Sequence, residues 1–520
     1  MKKGIVWLLV ALIIGAGLRL YHFDRNPQGI HPDEALYGYE GLSIRDTGTD
    51  YRQTGRPPLY LKGVSTDWDN RTSVLYPYIF SVLFRFLPVT IATLRSVSML
   101  LGLGLIVVVY VVGRELFPER PSIAAVASIL TSLSPLAISW SRVGHDPITL
   151  PFLAGLTFVS MLKARHHPAW WFLAATAVAI GFYSYQPLKF VGPAMIVLGL
   201  WYTWPAVRPH KVWFFSSAIL GLVTAWPFLV TQIRHWSAVQ GQFQAISIWH
   251  FHPLVGWFAL NLVAWPISFV FNPSIVLLLV GPLFVFGWLT LWPRDRRRLL
   301  LLLWLLAAAV PSFITLWQPG GNEVQSRSLA IIGPLEIGAA WAMVMIAERI
   351  RLARQDMATT AWLWPAITAV FLLPQILFAG WLNHRHGSFC CFLLGGMDQA
   401  IAVVQRPAYA QRPVVVDFFQ YSQGINLLWN THYPPALFQH ENVGWTNQLT
   451  GQNLHAQYPS HFGRYKLCAL DECYQSTDQA LYVVPEGNLN DRQTVFRFRL
   501  NWYGVSYQWK VVDNALPAAS

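Results

Sequence analysis

The sequence predicts a polytopic α-helical membrane protein with a C-terminal extracytoplasmic α/β domain, on three observations. First, 54% of the 520 residues are hydrophobic and 12% are charged, about half the charged fraction of a soluble globular chain. Mean hydropathy is +0.38, which also excludes intrinsic disorder. Second, the apolar residues are gathered into runs long enough to cross a bilayer. Many of the 25 Trp sit at the ends of such runs, among them Trp7, Trp140, Trp170, Trp226, Trp292 and Trp317, at the depth where aromatic rings are favoured. Third, the last 140 or so residues lose that pattern and alternate like strands. The formal net charge of +12 suggests nucleic acid in a soluble protein. Here many of the cations lie in short loops between apolar runs, where they set orientation instead, and no nucleic-acid partner is expected.

The first run, 5–20, follows Lys2 and Lys3 and has no clear small-residue cleavage site, so it reads as an uncleaved helix. Later runs fall at 92–113, 121–140, 147–163, 169–183, 190–204, 211–230, 273–292, 299–317, 327–347 and 361–382. Basic clusters at Arg114–Arg120, Lys163–His167, Arg208–Lys211, Arg294–Arg298 and Arg349–Arg354 follow every second helix. This holds if 74–88 and 253–271, which are short or broken by Pro77, Pro253 and Pro266, stay in the interface. The pattern predicts about 11 crossings of the plasma (inner) membrane, with a cytoplasmic N-terminus and the C-terminal domain outside. A membrane domain, 1–382, would carry an external loop at 21–90. A second external stretch would cover 231–272. The α/β domain would be 383–520, with strands at Arg412–Tyr421, Ala480–Pro485, Val495–Leu500 and Ser506–Val512.

All four cysteines, Cys390, Cys391, Cys468 and Cys473, fall on the predicted outside. An oxidising compartment makes Cys468–Cys473 a local disulfide candidate. A metal site is the weaker reading, since Cys468-Ala-Leu-Asp-Glu-Cys473 lacks CxxC spacing.

The 25 carboxylates are unevenly placed: eight lie between Asp24 and Asp69. Of those from 70 to 397, only Asp146, Glu323 and Glu336 fall outside cytoplasmic loops, where ionisable groups are costly and usually functional. Asp33-Glu34 follows Pro32 soon after the first helix. These carboxylates could take a proton from an attacking hydroxyl or hold a metal ion. They could equally start a helix, with Asp33 as its cap, and both readings can hold together. Asp146 stands in Ser141-Arg-Val-Gly-His-Asp-Pro147, either in a site or in an Asp-Pro turn paired with Arg142. A set of outward cations, Arg56, Lys62, Arg71, Arg142, Lys189, Arg234 and Arg327, runs against the positive-inside bias. Such cations suit a lipid phosphate ligand or anionic headgroups of the membrane lipids.

In this order, Asp33-Glu34, Arg56-Pro-Pro-Leu59, Arg142-x-Gly144-x-Asp146-Pro147, Gly181-Phe-Tyr-Ser-Tyr185 and Arg327 resemble the GT-C superfamily glycosyltransferases. The resemblance is to the protein O-mannosyltransferase branch, family 39, and the bacterial aminoarabinose transferases, and covers about residues 1–382. It implies inverting transfer of a sugar from a polyprenyl-phosphate donor to a glycan, lipid or protein acceptor on the outer face. It further implies catalytic roles for Asp33, Glu34 and Asp146, with Asp33 as base and Asp146 positioning substrate or helping to bind a cation. Arg56, Arg142, Lys189 and Arg327 would hold the donor phosphate. A divalent metal ion is the one cofactor left open. Gln186-Pro187 departs from the Lys-Gly often found there, and Ser328 from a usual Tyr. The alternative is a transporter or flippase of a lipid-linked sugar, which would usually show paired repeats and charges near the bilayer midplane.

Overall fold

A computed structural model describes residues 2–59, 61–62, 71–234, 236, 275–291, 296–314, 326–353, 373, 376–377, 395–417, 423–441, 444–449, 455–474, 479–489, 493–502 and 505–515. The chain divides into two compact units. Met1–Asn26, Arg95–Arg234 and Phe243–Cys390 form the first, and Pro27–Leu94 with Cys391–Ser520 belong to the second. Residues 27–94, most of the stretch expected as a loop of the first domain, group with Cys391–Ser520 and not with the helices of the first unit.

The helices up to residue 234 are α1 (Lys2–Leu20), α2 (Pro32–Thr47), α3 (Leu75–Leu83), α4 (Ile91–Leu116), α5 (Pro121–Leu133), α6 (Pro135–Ser141), α7 (Thr149–Lys163), α8 (Trp170–Phe182), α9 (Leu188–Val207) and α10 (Lys211–Arg234). All but α2, α3 and the first turn of α4 fall in the first unit, which also holds Ile275–Phe286, Arg296–Ile314 and Pro334–Ala353. Proline starts α5 and α6, at the position where its missing N–H costs nothing. The same chemistry breaks the run expected to be one helix over 121–140. Pro135 holds Ser134 extended, at ψ 116°, and the two halves meet at 55°.

Among the described residues three helices are long and apolar enough to cross a membrane, or four if the bent pair is one span. These helices do not by themselves confirm the expected 11 crossings. Stretches such as Gly4–Leu20 and Trp170–Phe182 are apolar but shorter, below the ~20 residues that a straight crossing needs. The runs at 253–271 and most of 361–382 lie outside the described residues. α10 leaves Val212, Phe215, Ile219, Leu222, Val223 and Trp226 exposed, a surface that lipid solvates and water does not. α3, at nine residues, is too short to cross, in keeping with its expected interfacial place.

Basic clusters meet within the first unit. Glu115 at the end of α4 lies 3.4 Å from Lys163, 3.6 Å from Arg165 and 3.6 Å from His166. Glu119 pairs with Arg297, and Arg120 with Glu348 at 3.4 Å.

The second unit is built on a seven-stranded sheet. Its strands are β3 (Val414–Asp417), β4 (Gly444–Leu449), β5 (His455–Phe462), β6 (Tyr465–Cys468), β7 (Leu481–Pro485), β8 (Thr494–Trp502) and β9 (Val505–Asp513), in the order β4-β5-β6-β3-β7-β9-β8. β1 (Leu61–Lys62) and β2 (Arg71–Thr72) pair separately. β3 runs parallel to β6 and β7, and the other pairs are antiparallel. The apolar Val414-Val-Val416 is central and buried, as a strand covered on both faces requires. Cys468 and Cys473 are joined by a disulfide. Cys390 and Cys391 lie outside the described residues.

α2 explains the grouping of the first loop with this domain. Its Tyr39 hydroxyl donates to the Tyr433 carbonyl at 2.9 Å. Gln439 Nε2 donates to Ser43 Oγ, Thr47 Oγ1 and the Asp50 carbonyl at 3.0–3.1 Å. Tyr39 and Tyr51 both pack edge or tilted against Phe438.

Candidate functional site

In the second unit, α2 begins at the segment His31-Pro-Asp-Glu34. The cap is His31 and not the expected Asp33. Its Nδ1 accepts from the Asp33 N–H at 3.1 Å, and Glu34 Oε2 accepts from the His31 N–H at 3.2 Å. This closes a capping box. Pro32 explains the shift by two residues: it takes the first helical place and leaves the residue before it extended. The box separates the two acids. Glu34 is fully buried within its own helix start. Asp33 keeps a side chain that is 38% exposed, 3.9 Å from His31 Nδ1. It sits in the first turn of α2, at the positive end of the helix dipole.

Farther along the loop, Glu40 and Asp50 are fully buried. Glu40 Oε2 accepts from the Tyr51 N–H at 3.0 Å, and Asp50 Oδ1 accepts from the Thr54 N–H at 2.6 Å and hydroxyl at 2.8 Å. Burial first, then the Asp50 charge, push the Glu40 carboxyl well above the ordinary glutamate range. Arg56 is exposed and donates to the Thr47 carbonyl at 2.9 Å. The side chains of Lys62 and Arg71 are outside the description.

In the first unit, Asp146 opens a single 3₁₀ turn, Asp146–Ile148, ahead of α7. It is buried, with Oδ1 3.2 Å from His145 Nδ1. Its carbonyl accepts from Thr149 Oγ1 at 2.6 Å, and Thr149 Oγ1 meets Ser184 Oγ at 2.6 Å. That bond ties the turn to the end of α8, where Gln186 Oε1 accepts from Lys189 Nζ. The Lys189 ammonium is within electrostatic reach of Asp146 and lies 4.6 Å from the Phe228 ring centroid. The Tyr185 hydroxyl donates to Ser326 Oγ at 2.7 Å, next to the half-buried Arg327.

The alternative Asp146–Arg142 pair is not what forms. Arg142 is fully buried, and its guanidinium donates to the carbonyls of Leu18 (2.7 Å), Arg19 (3.0 Å), Tyr21 (2.5 Å) and Asn26. Those are orphan acceptors of the α1 C-terminus and the chain beyond it. Asp146 takes the adjacent histidine instead. Glu336 likewise closes its own helix start, accepting from the Gly333 N–H at 2.7 Å. Glu323 and the second external stretch, 231–234 and Trp236 apart, lie outside the described residues.

The sequence reading passed over the two histidines. Each selected aspartate has one beside it, in His31-Pro-Asp33 and in His145-Asp146. That pairing is visible in the sequence and gives each acid a nitrogen neighbour within its own unit.

A family model described as dolichyl-phosphate-mannose-protein mannosyltransferase matches residues 71–230. Among solved structures, ArnT from Cupriavidus metallidurans, bound to undecaprenyl phosphate, superposes with a TM-score of 0.53 at 14% identity, over 99% of this chain and 98% of that one. The oligosaccharyltransferase AglB from Archaeoglobus fulgidus, in complex with an inhibitory peptide and a dolichol-phosphate, gives a TM-score of 0.52 at 12% identity over 83% of this chain. The same archaeon's oligosaccharyltransferase in complex with Zn and sulfate gives 0.51 at 14% identity over 82%. The chain spans 64% and 61% of the lengths of those two archaeal structures. No curated protein sequence matches.

Proposed function

Since the chain has the fold of the GT-C superfamily, we propose that it is a membrane glycosyltransferase. It would move a sugar from a polyprenyl-phosphate donor to an acceptor on the outer face, with inversion. The observation that carries this reading is the state of Asp33: a carboxylate at a helix N-terminus, flanked by His31 and left partly open, while its neighbour Glu34 is consumed in the cap.

The acceptor oxygen attacks the anomeric carbon. Asp33 takes the hydroxyl proton as the new C–O bond forms. The bond from that carbon to the phosphate oxygen breaks, and the polyprenyl phosphate leaves with the electron pair. Because a phosphate leaves as a stable anion, the chain needs cations more than an acid. Arg56, Lys189 and Arg327 take that role. Arg142 is assigned differently from its three partners. Its donors are occupied by the end of α1, so it positions the turn that carries Asp146. His145 and Asp146, 3.2 Å apart, offer the nitrogen–oxygen pair that a divalent ion accepts. Such an ion would neutralise charge on the leaving phosphate. Glu34 supports Asp33 by fixing the helix start.

A panel of polyprenyl-phosphate sugars offered to the purified protein, with Asp33→Asn beside wild type, tests the reading. Loss of a positioned base predicts a fall in turnover of about 10²–10⁴-fold with donor binding retained. Unchanged turnover removes Asp33 from the chemistry. Movement of the donor across liposomes with no transfer replaces the enzyme by a flippase.

A further inference from the structure

The second unit holds an open cavity of about 600 Å³, a volume typical of ligand sites, that the transfer chemistry does not use. Its lining is unlike a lipid slot. β8 contributes Arg497, Phe498 and Arg499, β9 contributes Ser506 and Gln508, and Gln399 and Gln28 complete the lining.

The sheet register explains why these side chains converge. Arg499 faces Gln508 across the ladder, and Arg497 faces Lys510. Alternation along a strand puts all of them on one face, with the two arginines about 7 Å apart and each cross-strand pair about 5 Å apart at Cβ. β8 is the edge strand, with β9 its one neighbour in the sheet among the described residues. The helix Met397–Val404 closes one wall. It can approach because Gly396, at φ 99°, has no Cβ: one built there would sit 2.2 Å from the Arg499 carbonyl oxygen.

The charges are unequal. Arg497 Nε donates to Glu486 Oε1 at 2.7 Å. Lys510 is buried and donates to the Leu489 carbonyl at 3.0 Å. Arg499 is exposed, and among the described residues no carboxylate pairs with it. Around it stand three amides and a hydroxyl, which both donate and accept.

A single uncompensated guanidinium ringed by amides suits a hydroxyl-rich ligand bearing one anionic group. We propose that this face of β8 and β9 is a binding site for an anionic saccharide, one carrying a carboxylate or a phosphate, and that it holds the acceptor. The acceptor role rests on the transferase reading; the binding site does not.

Calorimetric titration of the full-length protein in nanodiscs tests it. The probes are a uronate-bearing oligosaccharide, a phosphorylated one, their neutral counterpart of equal length, and inorganic phosphate. At least one anionic saccharide should bind about tenfold or more tighter than the neutral one. Arg499→Gln should erase that difference, and Arg499→Lys, which keeps charge but loses the planar fork, should retain part of it. Three results overturn the site: equal binding of anionic and neutral sugars, no change in Arg499→Gln, or inorganic phosphate binding as tightly as the saccharides. Retention of labelled polyprenyl phosphate by the wild type is read separately. If it fails while the saccharide binds, the transferase reading falls and the site stands.

Discussion

Glu40 has burial against both its oxygens and Asp50 beside it. Its folded-state pKa is raised, so the protonated form is the one the second unit favours. The sign follows: the stability it allows is full below the ordinary glutamate value of 4.5 and is lost as pH rises through the elevated value. Glu40→Gln keeps shape and loses the titration. Thermal melts at stepped pH from 4.5 upward should therefore slope downward in wild type and flatten in the variant. A slope identical in both would remove Glu40 as its source. Arg142 gives the opposite lesson about a buried charge. Truncating it to Ala would strand the carbonyls of Leu18, Arg19, Tyr21 and Asn26. The expected cost is about 3–5 kcal/mol, measurable as a large drop in melting temperature. A residue that only met the donor phosphate would leave the apo protein's melt near wild type. Residue type and spacing chose Asp33, Asp146 and Arg142 from the sequence, but not their partners. Whether a guanidinium faces a ligand or a helix end depends on carbonyls more than a hundred residues away.

At the scale of elements, α2 packs through small residues. A Cβ on Gly38 would lie 2.5 Å from Trp429 Cζ3, and one on Gly41 2.6 Å from Phe80 Cβ. The two glycines are three apart and so share a face of α2, pressed by α3 and by the helix Gln423–Thr431. Gly38→Val should overpack this contact by about 1–3 kcal/mol, seen as earlier proteolysis of the second unit in urea. Gly38→Ser should do less harm if Trp429 can shift. Strand legibility followed apolar content. β3, β7, β8 and β9 fall inside or around the runs expected for them, because each alternates or is continuously apolar. β4, β5 and β6 were not anticipated: Gly444–Leu449 and His455–Phe462 carry Asn, Gln, His and Ser, and their pairing comes from the neighbouring strands more than from their own pattern. The bend at Ser134 was written in the Ser-Pro step, which a hydropathy window averages away.

At the scale of the whole chain, hydropathy separated membrane helices from the strand-rich C-terminal part, and it could not place the loop 27–94. That loop's ties to the C-terminal domain, such as Tyr39 to Tyr433 and Gln439 to Thr47, span nearly four hundred residues and leave no local signal. Sidedness is an expectation that rests on the basic clusters. Three of the basic clusters, 114–120, 163–167 and 294–298, share ion pairs in the first unit through Glu115 and Glu119, and Arg120 pairs with Glu348. Three acids shared among so many cations leave a positive excess at that end of the helices, the condition under which a loop stays cytoplasmic. Substituted cysteines test the orientation that follows, in a background with Cys390 and Cys391 replaced by Ser. His166→Cys sits in the Glu115 cluster and should react with a membrane-impermeant maleimide only after permeabilisation. Ala408→Cys is exposed in the C-terminal domain and should react in intact cells whose outer barrier admits the probe. Labelling of both from one side would break the link between charge and topology. Labelling in the reverse order would put the disulfide-bearing domain, with Cys468 joined to Cys473, on the reducing side, where such a bond does not persist, so the order and the disulfide must stand or fall together.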